Sequence, residues 1–334
     1  MMSNLLLKAE DVQVSYAIRQ NKLLGGGEPL RLKAVNGVDF TLKQGETLGI
    51  VGESGCGKST LARAIIRLVE AQGRVTWQNG TDLLSLSPGR MLAYRADIQM
   101  IFQDPLASLN PRMTVGQSIA EPLKTHRKDL SRREIRARVE EMMVRVGLLP
   151  DQINRYPHEF SGGQCQRIGI ARALIVEPKL IICDEPVSAL DVSIQAQIIN
   201  LLMDLQQEKG LALLFIAHDL SVVKHISTEV MVLYLGRVME IAPRDSLYAR
   251  PLHPYTQALM AAAPVPDPAI ERAKTTLPII GELPSPLNPP SGCVFRTRCP
   301  KAAAVCAEEA PPLSASLNGD QHKVACHFPE KSEA

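Results

Sequence analysis

The 334-residue sequence predicts an α/β fold in which helices cover a mainly parallel sheet. Between Leu5 and about Ser246, short apolar or β-rich runs alternate with helical stretches, as in a sheet with helical crossovers. After about Ser246 the composition changes, and prolines and cysteines accumulate. We therefore predict a main domain over residues 1–246 and an extension over residues 247–334. The predicted strands are 12–16, 47–51, 99–102, 180–183, 213–217 and 230–235.

The first elements are a strand from Leu5 to Tyr16 and a glycine-containing segment after it. Segment 19–31 contains Gly25-Gly26-Gly27, which predicts a long hairpin insertion. The next apolar run ends at Val51 and leads directly into a glycine-rich turn. A strand followed by such a turn is the setting in which a phosphate-binding loop is found.

Residues 52–59 match the P-loop template Gly-x4-Gly-Lys-[Ser/Thr]. The glycines let backbone N–H groups point at phosphates, and a helix beginning near Lys58 adds its positive N-terminal end. We expect Lys58 to bridge the β- and γ-phosphates of ATP and the Ser59 hydroxyl to bind Mg²⁺. The predicted nucleotide-binding residues here are Gly52, Glu53, Ser54, Gly55, Cys56, Gly57, Lys58, Ser59 and Thr60.

Two carboxylates follow the apolar run that begins at Leu180. This is the Walker B arrangement, in which Asp184 suits Mg²⁺, a hard cation that prefers carboxylate oxygen and keeps several waters. Glu185 lies one residue further on and is the expected base that polarises the attacking water. The sequence therefore predicts hydrolysis of the nucleotide as well as binding.

The strand pattern stops between Asp104 and Phe160, which predicts a helical subdomain. Within it, Ser131-Arg132-Arg133-Glu134 is a capping box that begins an amphipathic helix with Ile135, Val139, Met142 and Val146 on its apolar face. Its arginines are then a solvated face, and the net charge of only +2 gives no basic field for nucleic acid. No run of 18 apolar residues and no signal-peptide pattern is present, so we expect no membrane span and no export.

The segment Phe160-Ser161-Gly162-Gly163-Gln164, combined with the P-loop, resembles ATP-binding-cassette (ABC) ATPases. This resemblance implies an ABC-type P-loop NTPase domain, with a RecA-like core, an antiparallel β subdomain and a helical subdomain. It also implies a dimer in which one subunit's signature segment closes on ATP held by the other's P-loop. The residues implied in this contact are Ser161, Gly162, Gly163, Gln164 and the D-loop residue Asp191.

The same resemblance assigns three further residues. Gln103, in Ile101-Phe102-Gln103-Asp104, corresponds to the Q-loop glutamine that touches Mg²⁺ and water. His218, after the strand 213–217, corresponds to the switch histidine that contacts the γ-phosphate. Tyr16 is the expected adenine-stacking residue, although a tyrosine at a strand end is often only packing. Catalysis is therefore assigned to Glu185, His218 and Gln103.

Four of the seven cysteines lie in the last 42 residues, at Cys293, Cys299, Cys306 and Cys326. A cluster of thiolates suits Zn²⁺ or an iron–sulfur cluster, and the spacing by itself leaves zinc, iron–sulfur and reduced thiols all open. The tail resembles the C-terminal extension of peptide-importer ATPases, which implies a [4Fe-4S] cluster on these four cysteines.

Nearly the whole chain resembles the ATP-binding subunits of oligopeptide importers, within the peptide/nickel permease family. The segments that carry this are 99–105, 108–112, 155–193, 253–255 and 281–286. The resemblance implies a paralogous D-type ATPase partner, two transmembrane permease subunits and, indirectly, an extracytoplasmic peptide-binding protein. It implies a peripheral position on the cytoplasmic face of the bacterial inner membrane. Dipeptide, glutathione or nickel cargo stays open, and a soluble non-transport ABC ATPase is the alternative from another class.

Overall fold

A computed structural model describes residues 4–18, 30–188, 190–263, 281–316 and 319–330. The predicted hairpin insertion at 19–31 falls outside the described residues except for its last two. The proline-rich stretch 264–280 also falls outside them. By backbone contacts the chain divides into two compact units. Unit 1 comprises residues 1–6, 42–47 and 85–217, and unit 2 comprises 7–41, 48–84 and 218–334.

The elements are numbered here in chain order. The strands are β1 (Leu5–Ile18), β2 (Leu30–Lys43), β3 (Thr47–Val51), β4 (Gln72–Trp77), β5 (Ile98–Ile101), β6 (Leu180–Asp184), β7 (Ala212–Ile216), β8 (Glu229–Tyr234), β9 (Arg237–Pro243), β10 (Ser314–Ser316) and β11 (Gly319–Val324). The helices are α1 (Lys58–Ile65), α2 (Pro88–Tyr94), α3 (Pro105–Ser108), α4 (Val115–His126), α5 (Arg132–Arg145), α6 (Gly162–Leu174), α7 (Val192–Lys209), α8 (Leu220–Ile226), α9 (Arg244–Ala249), α10 (Pro254–Ala262) and α11 (Val305–Glu308).

Unit 1 is built on three parallel strands in the order β5-β6-β7. Every residue of β6 and β7 is buried, and their sequences are continuous apolar runs, as expected of parallel strands covered on both faces. In register, Ile101 pairs with Cys183 and Asp184 pairs with Ile216. The Walker B carboxylate therefore ends a central strand of this unit.

The helices of unit 1 begin at side-chain caps that the sequence encodes locally. Helices α4, α5 and α6 each begin at a capping box, in which the N-cap hydroxyl and the N3 side chain pair with each other's backbone N–H. Helix α6 packs against α3, α4 and β5. Its N-terminus carries the signature segment, so these contacts fix where that segment lies in the unit.

Unit 2 contains a parallel pair and an antiparallel extension. Strand β3 pairs in parallel with β8, and β8, β9, β11 and β10 continue the sheet as antiparallel neighbours. A second sheet has the order β2-β1-β4, with β1 and β4 antiparallel. Because β11 pairs with β9, the C-terminal extension adds strands to the sheet of this unit.

The six predicted strands are confirmed. Residues 104–160, all of them described, contain α3, α4 and α5 and no strand, while the bounds of the predicted helical subdomain stay a prediction. The strands β2, β4, β9, β10 and β11 were not predicted, because polar or charged residues interrupt their apolar positions. In α5 the predicted apolar face is slightly wrong, because Met143 rather than Met142 is fully buried beside Val139. The domain boundary at residue 246 stays a prediction. None of the helices within the described residues has the length and apolarity needed to cross a membrane.

Candidate nucleotide site

The P-loop backbone of unit 2 requires glycine at two positions. Gly52 has a φ of 148°, and a Cβ there would lie 2.1 Å from the Leu233 carbonyl oxygen. Gly57 has a φ of 105°, and its Cβ would lie 2.2 Å from the Ala34 carbonyl oxygen. Both distances are far below any real Cβ contact. The loop therefore passes directly over neighbouring backbone, a path that no other residue type allows.

Helix α1 begins at Lys58, immediately after the loop. Its N-cap residue is Gly57, which has no side chain to bond to the first N–H groups of the helix. Such a helix start offers backbone donors and a positive dipole end to an anion. The Ser59 and Thr60 side chains follow in the first turn. The donor set thus fits a nucleotide phosphate group.

The Lys58 side chain is buried, with 4% of its surface exposed. Its Nζ donates to the carbonyl oxygens of Gly52 at 2.7 Å and Glu53 at 3.1 Å, and it lies 3.8 Å from the Cys56 Sγ. Burial raises the pKa of the Cys56 thiol, against the opposing effect of the Lys58 charge. Cys56 is therefore a packing residue of the loop rather than a reactive thiol.

Unit 1 holds the acidic part of the predicted site. Asp184 is fully buried at the end of β6. Glu185, the next residue, has a φ of 50°, a left-handed conformation that is uncommon for a residue with a side chain. Its backbone N–H donates to the Ile216 carbonyl at 3.0 Å. The strained conformation persists because this hydrogen bond at the carboxyl end of the sheet fixes the backbone. The conformation sets the direction of the Glu185 carboxylate, which is a predicted catalytic group.

The Q-loop glutamine meets the predicted base directly. The Gln103 Nε2 donates to the Glu185 Oε2 at 2.6 Å, across 82 residues of sequence. The sequence analysis assigned both residues to catalysis but did not predict a contact between them. Their hydrogen bond orients the Glu185 carboxylate and links it to the segment that follows β5.

The D-loop of unit 1 is held by its own helix. The Gln195 Nε2, on α7, donates to the carbonyls of Val187 and Leu190, each at 2.9 Å. Asp191 is exposed and occupies the N-cap position of α7 without capping it by its side chain. One D-loop residue, Ala189, lies outside the described residues. Asp191 is thus presented at a surface by a rigid turn.

The signature segment of unit 1 lies at the start of α6. Ser161 and Gly162 are exposed. The Ser161 Oγ accepts from the Gln164 N–H at 3.3 Å, and the Gln164 Oε1 accepts from the Ser161 N–H at 3.0 Å. A Cβ at Gly163 would meet the Ile194 side chain at 3.3 Å, so the segment packs beside α7. Helix α6 therefore begins within the signature segment, with Ser161 as its N-cap.

His218 is exposed and belongs to unit 2. It follows β7, and the next residue, Asp219, caps α8 by accepting from the Ser221 N–H at 2.7 Å. Its backbone position is therefore fixed by a local turn, while its ring stays at the surface.

Tyr16 lies near the end of β1 and is 39% exposed. It lines an open groove of about 780 Å³ in unit 2, together with Arg31, Lys33, Arg67 and Glu70. The lining of this groove is drawn from β1, β2 and the segment after α1. Stacking of Tyr16 on adenine stays a prediction.

The four C-terminal cysteines converge. Cys293, Cys299, Cys306 and Cys326 line one small cavity, and all four are free thiols. Burial raises the pKa of the Cys293 and Cys299 thiols, and it raises the pKa of Cys326 to about 11. Within the described residues, however, no group of three or more His, Cys, Asp or Glu side chains is arranged to hold a metal ion. The donor chemistry therefore suits a soft metal, while the geometry is not that of a metal site.

Sequence reasoning missed two residues that contact the P-loop. Tyr255 of α10 accepts a hydrogen bond from the Glu53 N–H at 2.9 Å, and Arg298 pairs with the Glu53 carboxylate. They lie 202 and 245 residues from Glu53 in sequence. Neither stands in a recognisable motif for phosphate binding, so no local signal could have identified them.

Comparison with known proteins places the chain among transporter ATPases. Residues 35–188 match the ABC transporter family and residues 239–306 match the oligopeptide/dipeptide transporter C-terminal region. The chain is 63% identical over 322 residues to the oligopeptide transport ATP-binding protein OppF of Escherichia coli (strain K12), covering 96% of this chain and 95% of that protein. It is 62% identical to OppF of Salmonella typhimurium, with the same coverage. A dimeric ATP-binding cassette solved in a post-hydrolysis state with ADP and Pi aligns with a TM-score of 0.64 and 30% identity, covering 72% of this chain and 99% of that one.

Proposed function

This chain belongs to the ABC transporter family of ATP-binding proteins, and we infer that it is the ATP-hydrolysing subunit of an oligopeptide importer. The observation that carries this inference is the identity of 63% to an oligopeptide transport ATP-binding protein over almost the whole of both chains. A match to the family's C-terminal region in the tail adds to it. As an ABC importer ATPase, the subunit binds ATP with Mg²⁺, dimerises and works with membrane permease subunits.

ATP binding is assigned to the P-loop and its helix. In this proposal the N–H groups of Ser54, Gly55, Gly57 and Thr60 surround the phosphates. Gly52 provides the turn, and Glu53 and Cys56 complete the loop, with their own N–H groups bonded to Tyr255 and to the Glu53 carbonyl. Lys58 exchanges its bonds to the Gly52 and Glu53 carbonyls for the β- and γ-phosphates. Mg²⁺ is assigned to Ser59, Gln103 and Asp184, where it would neutralise phosphate charge. Tyr16 is the proposed adenine-stacking residue.

Hydrolysis is assigned to Glu185, with Gln103 and His218. The proposal places Glu185 as the base that polarises the attacking water, and its hydrogen bond from Gln103 supports this by orienting the carboxylate. His218 is the proposed γ-phosphate contact. Its exposed ring is compatible with a contact that forms only when nucleotide is bound.

We expect Glu185→Gln to reduce the ATP turnover number by a factor of about 10²–10⁴, the usual contribution of a general base. ATP affinity stays near the wild-type value, because the phosphate-binding loop is unchanged. Turnover is measured in the assembled transporter and affinity with a fluorescent ATP analogue. Glu208→Gln, which removes an exposed carboxylate at the opposite end of α7 from Asp191, is the control. Substantial steady-state turnover in Glu185→Gln would remove Glu185 from the role of base.

Dimer closure is assigned to the exposed signature segment and D-loop. We propose that Ser161, Gly162, Gly163, Gln164 and Asp191 contact ATP bound by a paralogous D-type ATPase subunit. The exposure of Ser161, Gly162 and Asp191 in unit 1 supports this, since a segment that completes another subunit's site must be accessible. The dimeric cassette to which the chain is similar supports dimerisation in general.

The finer assignments of cargo, partners and place are also proposals. We propose two transmembrane permease subunits and, indirectly, an extracytoplasmic peptide-binding protein, with this subunit peripheral on the cytoplasmic face of the bacterial inner membrane. A dipeptide importer is the second candidate, because the tail matches a family region described for both oligopeptide and dipeptide transporters.

Affinity isolation from gently solubilised membranes tests the proposed function. We expect two permease subunits and a second ATPase to co-purify, and uptake of labelled tri- to pentapeptides to depend on Lys58. Recovery with ribosomal or chromosomal material would overturn the transport assignment. Uptake of dipeptides alone would replace oligopeptides with dipeptides as the cargo.

A [4Fe-4S] cluster on Cys293, Cys299, Cys306 and Cys326 is the proposal for the tail. The four thiols line one cavity, which supports the proposal. To hold a cluster as thiolates they would have to draw closer together, because within the described residues their arrangement is not that of a metal site. Anaerobic purification should then give about four iron and four sulfide per chain, as the cluster's composition requires. Protein without iron, sulfide and charge-transfer absorbance would exclude the cluster. If such protein contained zinc, the assignment would change from an iron–sulfur cluster to a zinc site.

A further inference from the structure

Glu53 is the most heavily bonded residue of the P-loop. Its backbone N–H donates to the Tyr255 Oη at 2.9 Å, and its carbonyl accepts from the Lys58 Nζ at 3.1 Å. Its two carboxylate oxygens accept from the Arg298 Nη1 at 3.0 and 2.8 Å. The backbone N–H, the backbone carbonyl and the side chain of Glu53 are thus all hydrogen-bonded. Two of the three partners, Tyr255 and Arg298, come from the C-terminal part of unit 2.

The Arg298 contact is largely removed from water. Its side chain is 9% exposed and that of Glu53 is 23% exposed. The Arg298 Nη1 also lies 3.3 Å from the Tyr234 hydroxyl, and the guanidinium lies 5.8 Å from the Tyr234 ring centre. A charge pair at this depth interacts more strongly than one at the surface, where most pairs contribute little.

Stability alone is a poor explanation for this pair. The Arg298 Nε is buried and makes no hydrogen bond with the residues that the structure describes. Burying a charge with an unsatisfied donor is costly, and a buried ion pair is often no better for stability than an apolar pair of the same size. What the pair does provide is a fixed position for the Glu53 side chain.

A rigid aromatic cluster positions both contacts. Tyr234 and Tyr255 meet edge to face with ring centres 4.7 Å apart, and each lies 5.3 Å from the Phe295 ring. All three rings are fully buried. Phe295 precedes Arg298 in the turn that also carries Cys293 and Cys299, so the cluster and the arginine are parts of one structure.

We propose that Arg298 and Tyr255 are positioning residues of the P-loop, which hold Glu53 so that the loop is preorganised for ATP before ATP arrives. The C-terminal extension thereby sets the nucleotide affinity of its own subunit. This inference rests on the proposed role of the P-loop in binding ATP. Preorganisation matters because a loop that must be ordered on binding loses affinity by the cost of that ordering.

The test is a double-mutant cycle on ATP affinity in the full chain. We expect Arg298→Met to weaken binding of a fluorescent ATP analogue about tenfold, within the usual range for coupled sites. In a Glu53→Gln background the same change should have little further effect, because the pair is already broken. Arg298→Lys, which keeps a charged nitrogen but loses the planar guanidinium, should retain more of the affinity than Arg298→Met.

Arg296→Met is the matched control. Arg296 lies in the same turn as Arg298 and lines the cysteine cavity, but its Nε donates to the Ser291 carbonyl at 2.9 Å instead of contacting the P-loop. Arg296→Met should lower the melting temperature, because it removes a hydrogen bond of the tail, and it should leave ATP affinity unchanged. Tyr255→Phe is a second variant that keeps the ring packing and removes only the acceptor for the Glu53 N–H. It should weaken ATP binding about threefold, a typical effect of one hydrogen bond.

The measured affinities decide whether Arg298 and Tyr255 position the P-loop. Loss of affinity in Arg298→Met that is undiminished in the Glu53→Gln background would overturn the proposal, since Arg298 would then act by another route. So would unchanged affinity in both Arg298→Met and Tyr255→Phe. Lys58→Ala distinguishes failure of this proposal from failure of the proposed function. If Lys58→Ala also leaves ATP affinity unchanged, the proposed role of the P-loop in binding ATP is wrong. If Lys58→Ala abolishes ATP binding while Arg298→Met and Tyr255→Phe do not weaken it, only the positioning role of Arg298 and Tyr255 is wrong.

Discussion

The two glycine-rich segments predicted to contact phosphate, the P-loop and the start of α6, are held in opposite ways. The P-loop depends on remote residues, since Tyr255 and Arg298 are more than 200 positions from Glu53. The start of α6 depends on residues three positions apart, through the pairing of Ser161 with Gln164. One segment is fixed by the tertiary structure of its unit, and the other by a short sequence motif.

This difference matches what each segment is proposed to do. A loop that receives ATP within its own subunit benefits from being rigid before binding, because rigidity removes an ordering cost. A segment that meets ATP across a subunit interface must stay exposed, so it cannot be surrounded by remote side chains. Local capping gives it order without burial. The following predictions, from the largest expected effect to the smallest, test the contrast.

Gly57→Ala should have the largest effect of the variants compared below. The added methyl would lie 2.2 Å from the Ala34 carbonyl oxygen at a φ of 105°, so backbone must move. We expect a loss of about 3 kcal/mol in the free energy of unfolding, from combined overpacking and strain. ATP binding should be lost as well. Chemical denaturation measures the first effect and nucleotide titration the second.

Gly55→Ala is the control for Gly57→Ala. Its φ is also positive, at 78°, but the added methyl would have no atom of the described residues within 4 Å. It should cost only about 1 kcal/mol, the strain of a left-handed alanine. Equal losses in the two variants would mean that close packing against remote backbone does not control the P-loop.

Ser161→Ala should have an intermediate effect. It removes the N-cap acceptor of α6 and should cost about 1 kcal/mol in the free energy of unfolding. Ser131→Ala removes the same kind of cap from α5, where Ser131 pairs with Glu134, and should cost a similar amount. Only Ser161→Ala should also reduce ATP turnover in the assembled dimer. If both variants reduce turnover equally, the effect belongs to helix stability and the signature segment has no special role.

Gly162→Ala should have the smallest effect on stability. Within the part of the chain that the structure describes, the added methyl would meet no atom within 4 Å, and alanine is at least as favourable as glycine in a helix. We expect the free energy of unfolding to change by no more than a few tenths of a kcal/mol. Turnover in the dimer should nevertheless fall, because the methyl occupies the proposed contact surface. A marked loss of stability in the isolated chain would show that this segment is packed like the P-loop, and the contrast would disappear.

Much of the fold and site follows from local patterns. The P-loop, the Walker B strand and the start of α5 are encoded by residues within ten positions of one another, so the sequence identifies them directly. Strands β2 and β9 were missed because charged residues interrupt their apolar positions, although Val38, Phe40 and Leu42 of β2 are buried at every second residue. The Gln103 to Glu185 hydrogen bond was missed for a different reason, since two residues that were assigned to catalysis separately carry no sign of their mutual contact.

The sequence by itself determined the chemistry of this protein: glycines where N–H groups must face phosphate, a lysine after them, and carboxylates at the end of an apolar strand. The tertiary structure decided what holds these groups in place, above all the bonds of Tyr255 and Arg298 to Glu53. The physical reason is the distance along the sequence over which each kind of interaction acts. Backbone conformation and capping depend on nearest neighbours along the chain, whereas a buried ion pair depends on where folding brings two distant segments together.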